Sequence, residues 1–411
     1  MGPVTVAVET RTQGFLPGSN GYRRVVAALF AAGLGTFVLL YSTQALLPGL
    51  VAEFGVSAAQ STWSLSLCTL GLGLALLVAG PLSERVGRTR LIHASLLASS
   101  VVALACALAP SWPALLGLRL VEGVALAGLP AVATAYLREE LHPSTHARAA
   151  GLYIGGTALG GMASRLLSGA VGEHLGWRGA LAVVAVVAIG CAVVVWLVLP
   201  ASRHFVAAPV GLRDLLRMAR RAVSDPGLLA LYAIGGCSIG ALVAVLNTVG
   251  FRLAAAPFGL GLGAASLVFA VYAVGSVSSA AAGRLADAYG RRAVMPLACL
   301  VAVVGVLLTL PDALPAVVVG LALLTAGFFA VHGVASGWVP TRAHAGGVAT
   351  SQAASFYLFT YYLGSSVLGS VAGPAWSGAG WPAVVALAVG LLLLTATLSL
   401  LLRRIPSLLA P

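Results

Sequence analysis

The sequence predicts an all-α membrane protein of twelve transmembrane helices in two pseudo-symmetric six-helix halves, and three observations carry that expectation. The 411 residues are 60% apolar and only 8% charged, against about 45–50% and about 25% in soluble domains, which excludes a water-soluble globular protein. The apolar residues fall into a dozen stretches, each near the roughly 20 residues that cross a hydrocarbon core about 30 Å thick. The second half of the chain also repeats the first.

Taken in order, residues 1–22 lack the short apolar core and cleavage site of a secretory signal and are expected to be a cytoplasmic tail. Spans follow at 25–50, 61–83, 91–110, 113–137, 148–172 and 178–199, forming an N-terminal half over 23–199. The hydrophilic interval 200–224 is a linker in which Leu212, Leu215, Leu216 and Met218 alternate with Arg213, Arg217, Arg220 and Arg221, the pattern of a basic amphipathic helix lying on a membrane surface. The C-terminal half, 225–403, carries spans at 227–252, 264–284, 293–311, 314–339, 347–373 and 381–402, and 404–411 form a second cytoplasmic tail.

All 23 basic residues are Arg, facing 11 acids for a net charge of +12. Such a balance can mark nucleic-acid binding, but the Arg residues sit in short loops, so no nucleic-acid partner is expected. The tails and the loops on their side hold 19 Arg and the opposite loops hold two, Arg178 and Arg252; the positive-inside rule therefore places both termini in the cytoplasm. Trp63, Trp112, Trp177, Trp376 and Trp381 at predicted outer boundaries, with Trp196 and Trp338 at inner ones, suit an interfacial belt. Cys68, Cys106, Cys191, Cys237 and Cys299 all lie in apolar stretches and read as small hydrophobes, without metal or disulfide spacing.

The repeat is explicit. A displacement of 203 residues lays "GPLSERVGR" (80–88) on "GRLADAYGR" (283–291), matching Gly80, Glu84, Gly87 and Arg88 to Gly283, Asp287, Gly290 and Arg291. A displacement of 204 lays Tyr153, Gly160, Gly169 and Gly176-Trp177 on Tyr357, Gly364, Gly373 and Gly380-Trp381. Parallel six-span repeats with a substrate site between them near the midplane describe one secondary-transporter architecture.

The segment "GPLSERVGRTR" (80–90) resembles the signature loop of the major facilitator superfamily, and "STQALLPGLVAEFGVS" (42–57), "GFRLAAAPFGL" (250–260) and "FYLFTYYLGSS" (356–366) resemble its bacterial YnfM-like members, in the drug or metabolite efflux branch. The resemblance implies a conformational latch made of Gly80, Glu84, Arg85, Gly87 and Arg88 with an acid at the end of span 4, Glu139 or Glu140, and a weaker copy at Asp287 and Arg291. "RLVEG" (119–123) resembles the family's span-4 motif, whose Arg is implicated in proton coupling. "GLYIGGTALGG" (151–161) resembles its glycine-rich antiporter segment but lacks the expected Pro, with Met162 after Gly161.

Away from the span ends four ionisable side chains, Arg119, Glu122, Arg165 and His332, are expected inside the bilayer, and each costs at least about 2.5–3.5 kcal/mol at the bilayer centre, so each asks for a partner or a task. Arg119, Glu122 and Arg165 are expected at compatible depth, in one cluster that holds Glu122 ionised until a proton or substrate competes for an Arg. Glu122 then reads equally as a coupling residue or a counter-ion, and His332 as a proton carrier or a hydrogen-bonded packing residue. Tyr41, Gln44, Asn247, Tyr272, Tyr357 and Tyr361 are the candidate walls of the substrate cavity.

No phosphate-cradling loop or metal motif occurs, so neither enzyme chemistry, a cofactor nor an ATP-driven pump is expected. The expected function is alternating-access, proton-coupled antiport in a bacterial inner membrane, exporting a small, partly hydrophobic compound as a monomer. The alternative is a proton-linked transporter of an organic anion held by Arg119 and Arg165; a non-transporting sensor or scaffold is the remote one.

Overall fold

A computed structural model describes residues 14–205, 207 and 211–406, without the side chains of Leu212 and Leu215. Residues 1–13 of the expected tail 1–22, residues 407–411 of the expected tail 404–411, and the part of the amphipathic pattern carried by Leu212 and Leu215 lie outside the described residues. Among those described the chain is helical, with a single bridge between Phe15 and Leu141.

The first half comprises spans Asn20–Phe54, Ala58–Val86, Arg88–Ala107 and Trp112–Glu140, followed by one continuous helical stretch, Pro143–Val198. Its helix His146–Val198 has 53 residues, about 80 Å at 1.5 Å per residue, too long for one crossing. It breaks at Gly176 (φ 66°, ψ −179°), a conformation that only glycine adopts without strain, and the break divides spans 5 and 6. After the helix Leu212–Ala222, the second half continues with Pro226–Ala254, Leu262–Tyr289, Arg291–Leu308, Leu314–Ala345, Thr350–Ser370 and Ala372–Leu401. The last of these breaks at Gly380 (φ 67°, ψ −156°), the repeat equivalent of Gly176. Twelve spans result among the described residues.

Glycines set the helix spacing equally in both halves. A Cβ on Gly160 would run into the Leu34 carbonyl of span 1, and one on its equivalent Gly364 into the Gly236 carbonyl of span 7. Spans 1 and 5, like 7 and 11, therefore touch backbone to backbone, the small-residue packing that lipid-embedded helices use in place of a hydrophobic driving force.

The described residues begin and finish at one end of the bundle, called the terminal end below. The Phe15 N–H donates to the Glu140 carbonyl at 2.8 Å, and Arg342 donates to the carbonyl of Pro406 at 3.2 Å. At the far end the halves are strapped together: Ser366 Oγ donates to the Ser66 carbonyl at 2.7 Å, the Gly263 N–H to Glu173 at 2.9 Å, and Gln44 Nε2 to Asn247 at 2.7 Å. Among the described residues, each ion pair at the terminal end stays within its own half. The cleft between the halves is thus bonded shut at the far end, while at the terminal end no ion pair among the described residues crosses it.

The expected aromatic belt holds only in part. Trp63 and Trp196 face outward, but Trp177, Trp338 and Trp381 are buried. Trp177 packs on Phe54, and Trp381 Nε1 donates to the Thr309 carbonyl at 3.1 Å. The two glycine breaks turn the chain just before Trp177 and Trp381, which points these rings into the bundle.

Candidate functional site

The terminal end carries the loop between spans 2 and 3. Gly87 (φ 95°) turns the chain so that Arg88 starts span 3 facing the end of span 4. Arg88 donates to Glu84 at 2.6 Å and to Glu139 at 3.0 Å, and a very short bond joins it to Ser83. Of the two acids expected here, Glu139 takes this place. Glu140 is fully buried and accepts from the N–H groups of Arg203 at 2.6 Å and His204 at 3.2 Å, anchoring the linker instead. Arg85 enters no described ion pair, and neither do Asp287 and Arg291 of the repeat copy. The reason is a charge reversal: the repeat equivalent of Glu139 is Arg342, which pairs with Asp225 at 2.6 Å.

Deeper in the first half, Arg119 is wholly buried and fully engaged. Its Nε donates to the Ser64 carbonyl at 2.9 Å, Nη1 to the Leu39 carbonyl, Ser42 Oγ and Glu122, and Nη2 to the Leu40 carbonyl at 2.7 Å. The guanidinium thus ties spans 1, 2 and 4 together and consumes the carbonyls freed where span 1 departs from a regular helix after Leu40. Glu122 Oε2 lies 2.7 Å from Arg119 and accepts from Cys106 Sγ, while Oε1 is buried without a partner. Gly123 makes this approach possible, because a Cβ there would strike the Cys68 carbonyl of span 2.

The structure divides the expected three-residue cluster in two. No described bond joins Arg165 to Glu122; span 1 runs between them, with Leu39, Leu40 and Ser42 turned to Arg119 and Tyr41 and Gln44 to Arg165. Arg165 is fully buried and has no carboxylate among the described ion pairs. Its Nε donates to Gln44 Oε1 at 2.6 Å, Nη1 to the Gly161 carbonyl at 2.5 Å, and Nη2 has no partner. Aromatic rings supply the remaining contacts, with the guanidinium carbon 4.1 Å from the Tyr41 centroid, 4.4 Å from Tyr272 and 5.6 Å from Phe269. Cation–π attraction offsets part of the desolvation cost without supplying a counter-charge.

From that cage a line of rings crosses into the second half. Tyr272 meets Phe329 edge to face at 5.3 Å, Phe329 meets Phe328 at 5.1 Å, and Phe328 stacks on His332 at 5.8 Å. His332 Nδ1 lies 2.9 Å from the Tyr357 hydroxyl and its ring 4.8 Å from that of Tyr361. All six cavity candidates therefore gather around two centres, the Arg165 cage and His332. The sequence reading missed Phe269, Phe328 and Phe329, whose signal was only an aromatic residue in a small-residue span.

Residues 25–351 of the chain match the family model of the Major Facilitator Superfamily. The chain belongs to the Major Facilitator Superfamily. It is similar to the uncharacterized MFS-type transporter YybF of Bacillus subtilis (strain 168), 39% identical over 93% of this chain and 94% of the relative. It is similar also to the inner membrane transport protein YnfM of Escherichia coli (strain K12), 40% identical over 93% and 90%. A shorter match, 29% identical over 39% of this chain and 36% of the relative, is to a gallate transporter of Pseudomonas putida. The fold is similar to that of a bacterial homologue of the human lysosomal transporter Spinster, crystallised inward-facing and occupied, with TM-score 0.72 and 16% identity over 95% and 98% of the chains. It is a multi-pass membrane transporter of this superfamily.

Proposed function

We propose that the chain is a secondary active transporter of a small organic anion with a flat apolar body, working by alternating access in a bacterial inner membrane. The observation that carries this is Arg165, a buried guanidinium with no acid partner among the described residues and no hydrogen bond at Nη2, set among Tyr41, Tyr272 and Phe269. An uncompensated cation in a dry interior is costly, and a bound carboxylate with an aromatic face would supply the counter-charge that the cage lacks and a surface for its rings to pack on. Gallate, which the partly matching relative transports by name, has that chemistry. Arg119 is a structural tie in this reading, because Glu122 and three carbonyls already satisfy it.

Protons are the coupling ion, with Glu122 and His332 the carriers, and the Arg-rich terminal end faces the cytoplasm. The conformation is then inward-open. The aromatic line through Phe328, Phe329 and Tyr361 favours a second reading, export of a neutral, partly hydrophobic compound. Calorimetry on purified protein separates the two. Benzoate or gallate is expected to bind the parent, and Arg165→Gln to lose at least about tenfold in affinity, the 1.4 kcal/mol of a modest charge-assisted pair. Equal binding by both proteins returns the reading to the neutral exporter.

A further inference from the structure

Gln44 and Asn247 are repeat equivalents, 203 residues apart, and they bond to each other across the two halves at 2.7 Å. A contact between equivalent residues lies on the pseudo-twofold axis. The bonds behind them are equivalent too. Gln44 accepts from Arg165 of span 5, and Asn247 donates at 3.4 Å to the carbonyl of Gly369, the residue of span 11 that takes the place of Arg165. The four residues form one chain, Arg165 to Gln44 to Asn247 to Gly369, in which a cation is present on one side alone. Arg165, Gln44 and Asn247 are all buried.

The Nε and Nη2 groups of a guanidinium form one edge that a carboxylate grips bidentately. On Arg165 that edge is half used: Nη2 is free and Nε is held by the neutral Gln44 amide. A carboxylate docking along it takes Nε away from Gln44. The same amide carries the strap to Asn247, so releasing one end unpins the other.

Resting on the anion reading above, we propose that Gln44 is a coupling residue: an anion on Arg165 displaces it, loosens the Gln44–Asn247 strap and so favours opening of the far end. The other far-end straps, Ser366 to Ser66 and Gly263 to Glu173, do not touch the cation and do not respond to ligand directly. Breaking the strap consumes part of the anion's binding energy. By linkage, removing it in advance tightens binding.

The experiment is hydrogen–deuterium exchange on the full chain in nanodiscs, with calorimetry in parallel, using benzoate and gallate as probes. In the parent, either probe is expected to raise exchange in peptides covering residues 42–62 and 366–376. Asn247→Ala and, independently, Gln44→Leu are expected to show raised exchange in those peptides without ligand, no further response to it, and affinity higher by at least about threefold. A ligand that binds the parent without changing far-end exchange, or variants that bind no tighter, overturns the relay while leaving Arg165 as the anion site. Absence of binding to the folded parent overturns both proposals.

Discussion

Two arginines of the same type, both fully buried, have opposite fates here, and their partners explain why. Arg119 has an acid and four further acceptors, so removing it strands Glu122 in a dry site. Arg119→Ala is expected to lower stability by about 3–5 kcal/mol, read as loss of monodisperse protein and a lower melting temperature. Glu122→Gln keeps the shape and an acceptor for Arg119; it is expected to abolish pH-driven accumulation in vesicles while counterflow exchange continues. Unchanged pH-driven uptake would remove Glu122 from the coupling. The sequence pointed to all four intramembrane ionisable residues through their cost and to the Arg119–Glu122 pair through its spacing, yet not to the separation of Arg165 from that pair. Three-residue spacing on one helix links Arg119 to Glu122, whereas the side of span 1 on which Arg165 falls depends on where that helix loosens after Leu40.

At the scale of the element, glycine decides how closely spans approach. Gly160→Ala and Gly364→Ala each push a methyl into a facing backbone carbonyl, and each is expected to cost about 1–3 kcal/mol of stability, measured by thermal unfolding. Gly151, with nothing within 4 Å of a built Cβ, is the control, and Gly151→Ala is expected to leave the melting temperature unchanged. Twelve spans and their duplication were legible because apolar length and repeat matching survive without any tertiary knowledge. The inward turn of Trp177 and Trp381 was not legible, since it follows from a positive φ at Gly176 and Gly380 that composition at a membrane boundary does not reveal. Nor did the loop motif tell Glu139 from Glu140; adjacent residues on a helix point about 100° apart, and only the linker's path decided which faces Arg88.

At the scale of the whole molecule, the two halves share a backbone plan and differ in charge. Asp225, just ahead of span 7, illustrates it. Burial alone would raise this carboxyl, but the Arg342 hydrogen bonds and the N–H groups of Leu228 and Gly227 outweigh it and hold the group below its ordinary 3.8. A depressed carboxyl contributes stability above its unfolded value, and that contribution fades as pH falls through the folded one. Asp225→Asn is therefore expected to lower the melting temperature at neutral pH and to shrink the gap to the parent below about pH 4. A gap that is constant with pH would show that the Asp225–Arg342 pair adds nothing to stability.

That reversal of sign at Arg342 has a mechanical outcome. Each lobe carries its own countercharges as it tilts, Arg88 with Glu139 in one and Arg342 with Asp225 in the other. Among the described residues no ion pair has to rupture for the mouth at the terminal end to widen, so that motion is expected to be nearly indifferent to ionic strength, with resistance concentrated at the opposite rim.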